Sequence, residues 1–188
     1  SVYISGNLIG LLLEDQRLWL VSHDGVLVDE SVVDDGADMS TLPDGTLLVY
    51  TQGGMWKVDS SGTWSEAITD APSGGGASAV AATIDGRIYL MDGNNVYAYT
   101  AELTPAWQAS LPFAIRGDAT MQHEDHVLLI TSTYGDVVTL RDSGGICGFA
   151  NVYGDDLANE WHDLGEDGTL RIAVADQIIG FNWERLTN

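Results

Sequence analysis

The sequence predicts an all-β protein built from repeated four-stranded units, and three observations carry this prediction. Polar two-residue turns, most of them Asp-Gly, lie between β-branched or aromatic runs, which is the strongest short-range signal of a hairpin. The turns recur at a spacing near 40 residues. No segment shows a helical period of apolar residues. The length of 188 residues further predicts one domain, 1–188, with a single β architecture.

Five turns define the repeat. They are Asp15-Gln16, Asp44-Gly45, Asp85-Gly86, Asp125-His126 and Asp167-Gly168. The last four follow one another at spacings of 41, 40 and 42 residues, whereas the first two are only 29 residues apart. The units are therefore predicted at 6–34, 36–69, 76–111, 117–152 and 156–183. In the third unit, four antiparallel strands follow one another along the chain, which sets the plan for the others.

This plan resembles the five-bladed β-propeller over the whole chain. The resemblance is one of architecture, because the sequence has neither a WD dipeptide nor a kelch double-glycine signature in each unit. It implies that Trp56, Tyr97 and Trp107 pack between neighbouring blades. Since the last unit ends after its third strand, residues 2–5 are expected to supply its missing outer strand. A β-sandwich or a glycine-rich half-barrel is the alternative for short strands at this spacing.

The charge balance excludes some partners. Seven basic residues against 28 acidic ones give a net charge of −21, which opposes binding to nucleic acid. Asp outnumbers Glu by 20 to 8 and only one basic residue is a lysine, a composition that resembles the proteins of extreme halophiles. The alternative is an acidic surface tuned for solubility in ordinary buffer. No apolar run is long enough to insert into a membrane, and no secretion signal is visible.

The resemblance to propellers implies a ligand face made by the loops between second and third strands and between blades. These loops are rich in Asp, Asn and Gly, residues that suit sugar hydroxyls or hard cations but are also the ordinary residues of turns. The candidate ligand-face residues are His23, Asp24, Asp34, Asp35, Asp92, Asn94, Asn95, Tyr134, Asp136, Asp155 and Asp156. We expect no dedicated cofactor, and at most non-specific association of Na⁺, K⁺, Mg²⁺ or Ca²⁺ with the acidic loops.

A metal site is not predicted. His123 and His126 flank a hairpin turn, but no third and fourth ligand has the spacing of a zinc site. Catalysis is not predicted either, because no nucleophile elbow, phosphate loop or dinucleotide fingerprint is present. If the chain were instead a glycoside hydrolase, as some five-bladed propellers are, its carboxylates would come from Asp38, Asp118 and Glu160 near the starts of the innermost strands.

These observations lead to a functional hypothesis. The chain is predicted to be a non-catalytic binding or structural propeller of a halophile, displayed on a virion and contacting host envelope glycans. Its expected location is a virion or the cytoplasm of a halophile. Its expected partners are other proteins of an assembly or particle and glycans. The alternatives are a cytosolic scaffold for protein interactions and, less favoured, a glycoside hydrolase.

Overall fold

The structure is a computed structural model that describes residues 2–33, 37–51, 54–68, 78–115, 119–124, 126–151, 161–164, 169–174 and 177–182. Every regular element in these ranges is a β-strand, as the sequence predicts. Successive strands pair antiparallel in four four-stranded sheets and one three-stranded sheet. Helices able to span a membrane are absent from these ranges.

The strands are numbered in chain order. Sheet 1 contains β1 (Val2–Ser5), β2 (Leu8–Leu12), β3 (Arg17–Ser22) and β4 (Leu27–Val32). Sheet 2 contains β5 (Asp38–Thr41), β6 (Leu47–Thr51), β7 (Gly54–Val58) and β8 (Trp64–Ile68). Sheet 3 contains β9 (Ser78–Ala82), β10 (Ile88–Asp92), β11 (Asn95–Tyr99) and β12 (Pro105–Ser110). Sheet 4 contains β13 (Ala119–Glu124), β14 (Val127–Ser132), β15 (Asp136–Arg141) and β16 (Ile146–Asn151). Sheet 5 contains β17 (Trp161–Leu164), β18 (Thr169–Val174) and β19 (Gln177–Asn182).

The prediction that residues 2–5 complete the last unit is wrong. β1 pairs with β2 at the edge of sheet 1, with Val2 opposite Leu11 and Ser5 opposite Leu8. The first turn of the repeat is therefore Gly6-Asn7, in which Gly6 has a φ of 51°. Gly6 lies 38 residues before Asp44, so the irregular spacing of 29 residues disappears. The turn between β2 and β3 resembles the turns that join first and second strands in other sheets, so the predicted first unit is one strand out of step.

The Asp-Gly turns form as predicted where the structure describes them. Gly86 donates its N–H to the Thr83 carbonyl at 2.9 Å and closes the turn between β9 and β10. Its φ of 82° favours glycine, and a Cβ added there would lie 2.9 Å from the Ala101 side chain. A glycine is therefore required at this turn both by backbone conformation and by the close approach of a neighbouring turn.

The first strands of consecutive sheets lie side by side. β1 contacts β5, β5 contacts β9, and β9 contacts β13. Side chains of β5 connect its two neighbours, since Thr41 Oγ1 donates to the Ile4 carbonyl and Ser40 Oγ accepts the Ala82 N–H at 2.9 Å. This is the arrangement of a propeller, in which the innermost strands meet around a common axis.

Among the residues that the structure describes, the core forms three clusters, each between consecutive sheets. Leu18, Leu20 and Val49 belong to the cluster between sheets 1 and 2. The cluster between sheets 2 and 3 is built around residues such as Leu48 and Leu90. The largest cluster lies between sheets 3 and 4. Trp56, Tyr97 and Trp107 each pack against one of these three clusters, which confirms their predicted position between sheets.

Candidate functional site

The connections between strands lie at the two ends of the sheets, where the strands begin and end, and we call these two ends edges in this subsection. Because neighbouring strands are antiparallel, turns between second and third strands lie at one edge, and turns between first and second or third and fourth strands lie at the other. We call the first the predicted loop edge and the second the opposite edge. Among described residues, the predicted loop edge contains residues 13–16, 93–94 and 133–135.

Several candidate ligand-face residues do lie at the predicted loop edge. Asp92 ends β10 and Asp136 begins β15, but both side chains are buried, at 6% and 3% exposure. The Asp136 N–H donates to Ser132 Oγ at 3.1 Å, so this residue closes the turn that contains Tyr134. Asn94 is exposed in the turn before β11, and Asn95 Oδ1 accepts a hydrogen bond from Ser110 at 2.7 Å. The two buried carboxylates do not face solvent, and Asp136 Oδ2 accepts the Ser132 hydroxyl at 3.4 Å.

His23 and Asp24 do not lie at the predicted loop edge. They form the connection between β3 and β4, and the His23 N–H donates to the Asn7 carbonyl in the turn between β1 and β2. Both residues are exposed at the opposite edge. The prediction that His23 and Asp24 join second and third strands is wrong because the predicted first unit is one strand out of step. The prediction that residues 2–5 close the last unit is wrong for the same reason. Asp34, Asp35, Asp155 and Asp156 lie outside the described residues.

Asp38 is held in a network at the first strands. Its Oδ1 accepts the Tyr3 hydroxyl at 2.9 Å and its Oδ2 accepts the Val80 N–H at 2.8 Å. Burial raises the pKa of Asp38, and the hydrogen bonds from Val80, Met39 and Tyr3 only partly oppose that rise. The carboxyl thus connects three neighbouring sheets. Asp118 and Glu160, its proposed catalytic companions, lie outside the described residues.

Replacing Asp38 is expected to alter the pH dependence of stability. Because its pKa is raised in the folded state, ionisation of Asp38 costs stability as pH rises from the ordinary value near 3.9 through the folded-state pKa. The Asp38→Asn variant carries no such charge. The stability of Asp38→Asn relative to the native protein should therefore be greater at neutral pH than at pH 3. Urea unfolding at both pH values measures this difference. A difference that stays constant across this pH range would contradict the assignment.

A groove with aromatic walls lies between sheets 1 and 2. Its volume is about 460 Å³, and it is lined by Asp29, Ser31, Val32, Val33, Thr51, Trp56 and Trp64. Trp64 Nε1 donates to Asp29 Oδ2 at 2.9 Å, and Ser31 Oγ donates to the same oxygen at 2.9 Å. In the β7–β8 register Trp64 lies opposite Val58, so it is a diagonal neighbour of Trp56 on one face of the sheet.

A cluster of polar side chains surrounds Asp142 at the opposite edge, between sheets 3 and 4. Asp142 Oδ1 lies 2.7 Å from His123 Nε2 and 3.0 Å from Arg87 Nη1, and Oδ2 lies 3.0 Å from His126 Nδ1. The Tyr89 hydroxyl donates to Oδ1 at 3.3 Å, and its ring stacks on His123 with centroids 5.5 Å apart. We call these five residues the Asp142 cluster.

The cluster holds the Asp142 carboxyl ionised. Burial alone would raise its pKa, but hydrogen bonds from His123 and His126 and the charge of Arg87 outweigh burial and hold the pKa well below its usual range. Burial raises the pKa of Tyr89. The part of the chain that the structure describes contains no group of three or more His, Cys, Asp or Glu arranged to hold a metal ion. The geometry is that of an anchor between two sheets.

Only fragments of these two sites are predicted from the sequence. His123 and His126 are weighed there as a metal pair and Trp56 as a packing residue, but neither Asp142 nor the pair Asp29 and Trp64 is predicted. Trp64 lies 35 residues from Asp29, and Asp142 lies 53 residues from Tyr89. A usable signal was the tryptophan in two of the outer strands, Trp64 in β8 and Trp107 in β12, since both side chains pack against a core cluster between sheets.

Together the repeated sheets, the contacts between first strands and the core clusters define an all-β, propeller-like protein. Comparison with family models and with curated proteins finds no match. Among solved structures, the chain is similar to a protein of unknown function from Bacteroides caccae, with 16% identity, a TM-score of 0.61, and coverage of 97% of this chain and 77% of that one. It is also similar to the β-propeller BamB from Moraxella catarrhalis, with 15% identity and a TM-score of 0.58. That match covers 96% of this chain but 62% of BamB, and both likenesses concern the fold alone.

Proposed function

We propose that this chain is a non-catalytic binding module that recognises glycans through the groove between sheets 1 and 2. The observation that carries the proposal is the juxtaposition of two partly exposed tryptophans with a hydrogen-bonded carboxylate in one groove. Aromatic faces offer a large, rigid apolar surface for the apolar face of a sugar ring. Carboxylate and hydroxyl oxygens supply acceptors for sugar hydroxyls, and Asp29, Ser31 and Thr51 provide them here.

The size and construction of the groove support a small ligand. Its volume of about 460 Å³ falls within the range of about 300–1,000 Å³ that is usual for small-molecule sites. Trp64 and Ser31 both donate to Asp29 Oδ2, so the carboxylate is oriented before a ligand arrives. Preorganisation of this kind lowers the entropic cost of binding.

The wider setting belongs to the same proposal. A composition with a net charge of −21 and one lysine suits a halophile, and a rigid all-β module suits the surface of a virion. In that role the chain would contact envelope glycans while other surfaces contact neighbouring proteins of the particle. A cytosolic scaffold would use the protein-binding surfaces alone.

In the proposed architecture the five sheets are the blades of a ring. Support comes from the face of sheet 1 that points away from sheet 2. There Val2 pairs with Leu11 and Leu11 with Trp19, while Ile4 pairs with Ile9, so an apolar band crosses the sheet. Val2 and Ile4 are 65% and 66% exposed, and the buried Trp19 Nε1 has no hydrogen-bond partner among described residues. Such a face needs a neighbouring sheet, which the last unit of the chain would supply.

Glycan binding is tested with a Trp64→Leu variant. Binding to haloarchaeal envelope is measured in molar salt by co-sedimentation, with free sugars as competitors, and binding to a glycan array identifies the sugar. The native protein should bind saturably, and Trp64→Leu should weaken binding by about tenfold or more because an aromatic anchor is lost.

Trp107→Leu is the matched control, since it makes the same substitution at a partly buried tryptophan outside the groove. Thermal melting establishes that both variants fold. Equal binding by the native protein and Trp64→Leu would exclude the groove as the glycan site. No binding to any sugar or envelope would contradict glycan recognition itself.

A further inference from the structure

We propose that the outer edge of β4 binds an extended segment of a partner protein by strand addition, the partner strand carrying alternating apolar and basic residues. This site differs in kind from the proposed glycan groove because it uses backbone groups at a sheet edge, although the Val32 side chain also lines that groove. It would give the module a means of attachment to a neighbouring protein.

The backbone of β4 presents hydrogen-bonding groups outward. The Val33 N–H donates to the Gln16 carbonyl at 2.8 Å, so the backbone groups of Val33 point towards β3. Backbone groups alternate in direction along a strand, and the N–H and C=O of Val32 and Glu30 therefore point away from β3. Within the ranges described above, β4 pairs with β3 alone. An antiparallel or parallel strand could add to these outward groups.

Apolar side chains are exposed along the same strand. Val32 is 82% exposed, Leu27 49% and Val28 42%, and Val26, which precedes the strand, is 62% exposed. Protein sheet edges usually carry charges, proline or a covering loop that prevent pairing with another chain. The outer strand of sheet 3 follows that rule, since β12 begins at Pro105. β4 does carry two charges, but Asp29 accepts hydrogen bonds from Trp64 and Ser31, and Glu30 contacts Arg17. Its open backbone groups and exposed apolar side chains favour strand addition.

The charge near β4 selects the partner. Asp24 precedes the strand and Asp59 lies in the neighbouring turn before β8, and both are exposed. Arg17 neutralises Glu30 through a contact of 3.2 Å, but the charges of Asp24 and Asp59 remain, so the surroundings of β4 are negative. A net charge of −21 opposes pairing of β4 with the β4 of a second copy. A basic, apolar segment of another protein is therefore the occupant that the edge fits.

The test uses a short synthetic peptide of alternating lysine and valine as the probe, with binding measured by fluorescence anisotropy. Val32→Pro removes one outward N–H at an exposed edge position, where proline is tolerated. Val32→Thr keeps the N–H and the β-branched shape, and it is the matched control. We expect the native protein and Val32→Thr to bind the peptide with similar affinity. Val32→Pro should bind it at least about tenfold more weakly.

A second measurement requires no variant. In an N-methylated form of the probe, alternate amides lose their N–H, so it cannot complete a ladder, while its charge is unchanged. Loss of binding by this peptide supports strand addition. Equal binding of both peptides, equal binding by Val32→Pro, or no binding of the probe would overturn the proposal. Dimerisation of the chain alone, abolished by Val32→Pro in sedimentation velocity, would assign the edge to a second copy and overturn the proposed partner.

Discussion

Transfer from dilute buffer to molar KCl is expected to raise the melting temperature of this protein by about 10 °C or more, which corresponds to several kcal/mol of unfolding free energy for a chain of this size. Twenty-eight carboxylates against seven cations repel one another more strongly in the compact state than in the unfolded chain. The Debye length falls from about 10 Å at 0.1 M salt to about 3 Å at 1 M, so this repulsion is screened. Differential scanning calorimetry over a series of KCl and NaCl concentrations measures the effect.

Sucrose provides the control for this experiment. It strengthens the burial of apolar surface without screening charge, so it should stabilise the protein much less than chloride salts of equal osmolality. Sulfate is avoided because it would combine both effects. A melting temperature that is independent of KCl concentration would contradict both the electrostatic argument and the halophilic interpretation of the composition.

Replacement of Asp142 by alanine is expected to lower the unfolding free energy by about 2–4 kcal/mol, because it removes the acceptor shared by four side chains and leaves the Arg87 guanidinium, among described residues, with only the more distant Asp85 carboxylate. Arg87 and Tyr89 come from the β9–β10 hairpin of sheet 3, whereas His123 and His126 come from the β13–β14 hairpin of sheet 4, so the loss falls on the contact between two sheets. The hydrogen bond from Trp107 Nε1 to the Asp142 carbonyl, at 2.6 Å, uses the backbone and remains. Urea unfolding at neutral pH measures the change.

The effect of Asp142→Ala should depend on pH with a definite sign. The pKa of Asp142 is depressed in the folded state, so its stabilising contribution is complete above the ordinary value near 3.9 and is lost as pH falls below it. The difference in unfolding free energy between the native protein and the variant should therefore shrink in acid. A difference that grows below pH 4 would contradict this account.

Asp85→Ala is the matched control. Asp85 also faces Arg87, but at 3.8 Å, and its side chain is 61% exposed. Its replacement should cost less than about 1 kcal/mol, as is usual for an exposed pair. If Asp142→Ala cost no more than Asp85→Ala, the Asp142 cluster would not be an anchor between sheets 3 and 4.

The repeated β architecture could be predicted from local sequence because its determinants are local. Alternating apolar residues and Asp-Gly turns act within about ten residues, and they gave the hairpins at Asp44-Gly45 and Asp85-Gly86 without knowledge of the fold. The positions of Trp56, Tyr97 and Trp107 between sheets were implied by the resemblance to propellers. The predicted strand order of the first unit is wrong because its opening turn is Gly6-Asn7. Asp15-Gln16, one strand later, resembles the Asp-Gly turns of the other units more closely than Gly6-Asn7 does.

The candidate sites required the tertiary structure. Trp64 meets Asp29 and Tyr89 meets Asp142 only because neighbouring sheets face each other, and no local pattern links residues 35 or 53 positions apart. Burial contradicts part of the prediction as well, since Asp92 and Asp136 are predicted to face a ligand but are buried at the ends of their strands. The sequence by itself determined which segments are strands and how strongly the chain is charged, through short-range pattern and composition. The packing of sheet against sheet decided which side chains meet, because those contacts depend on faces and edges that only the assembled fold defines.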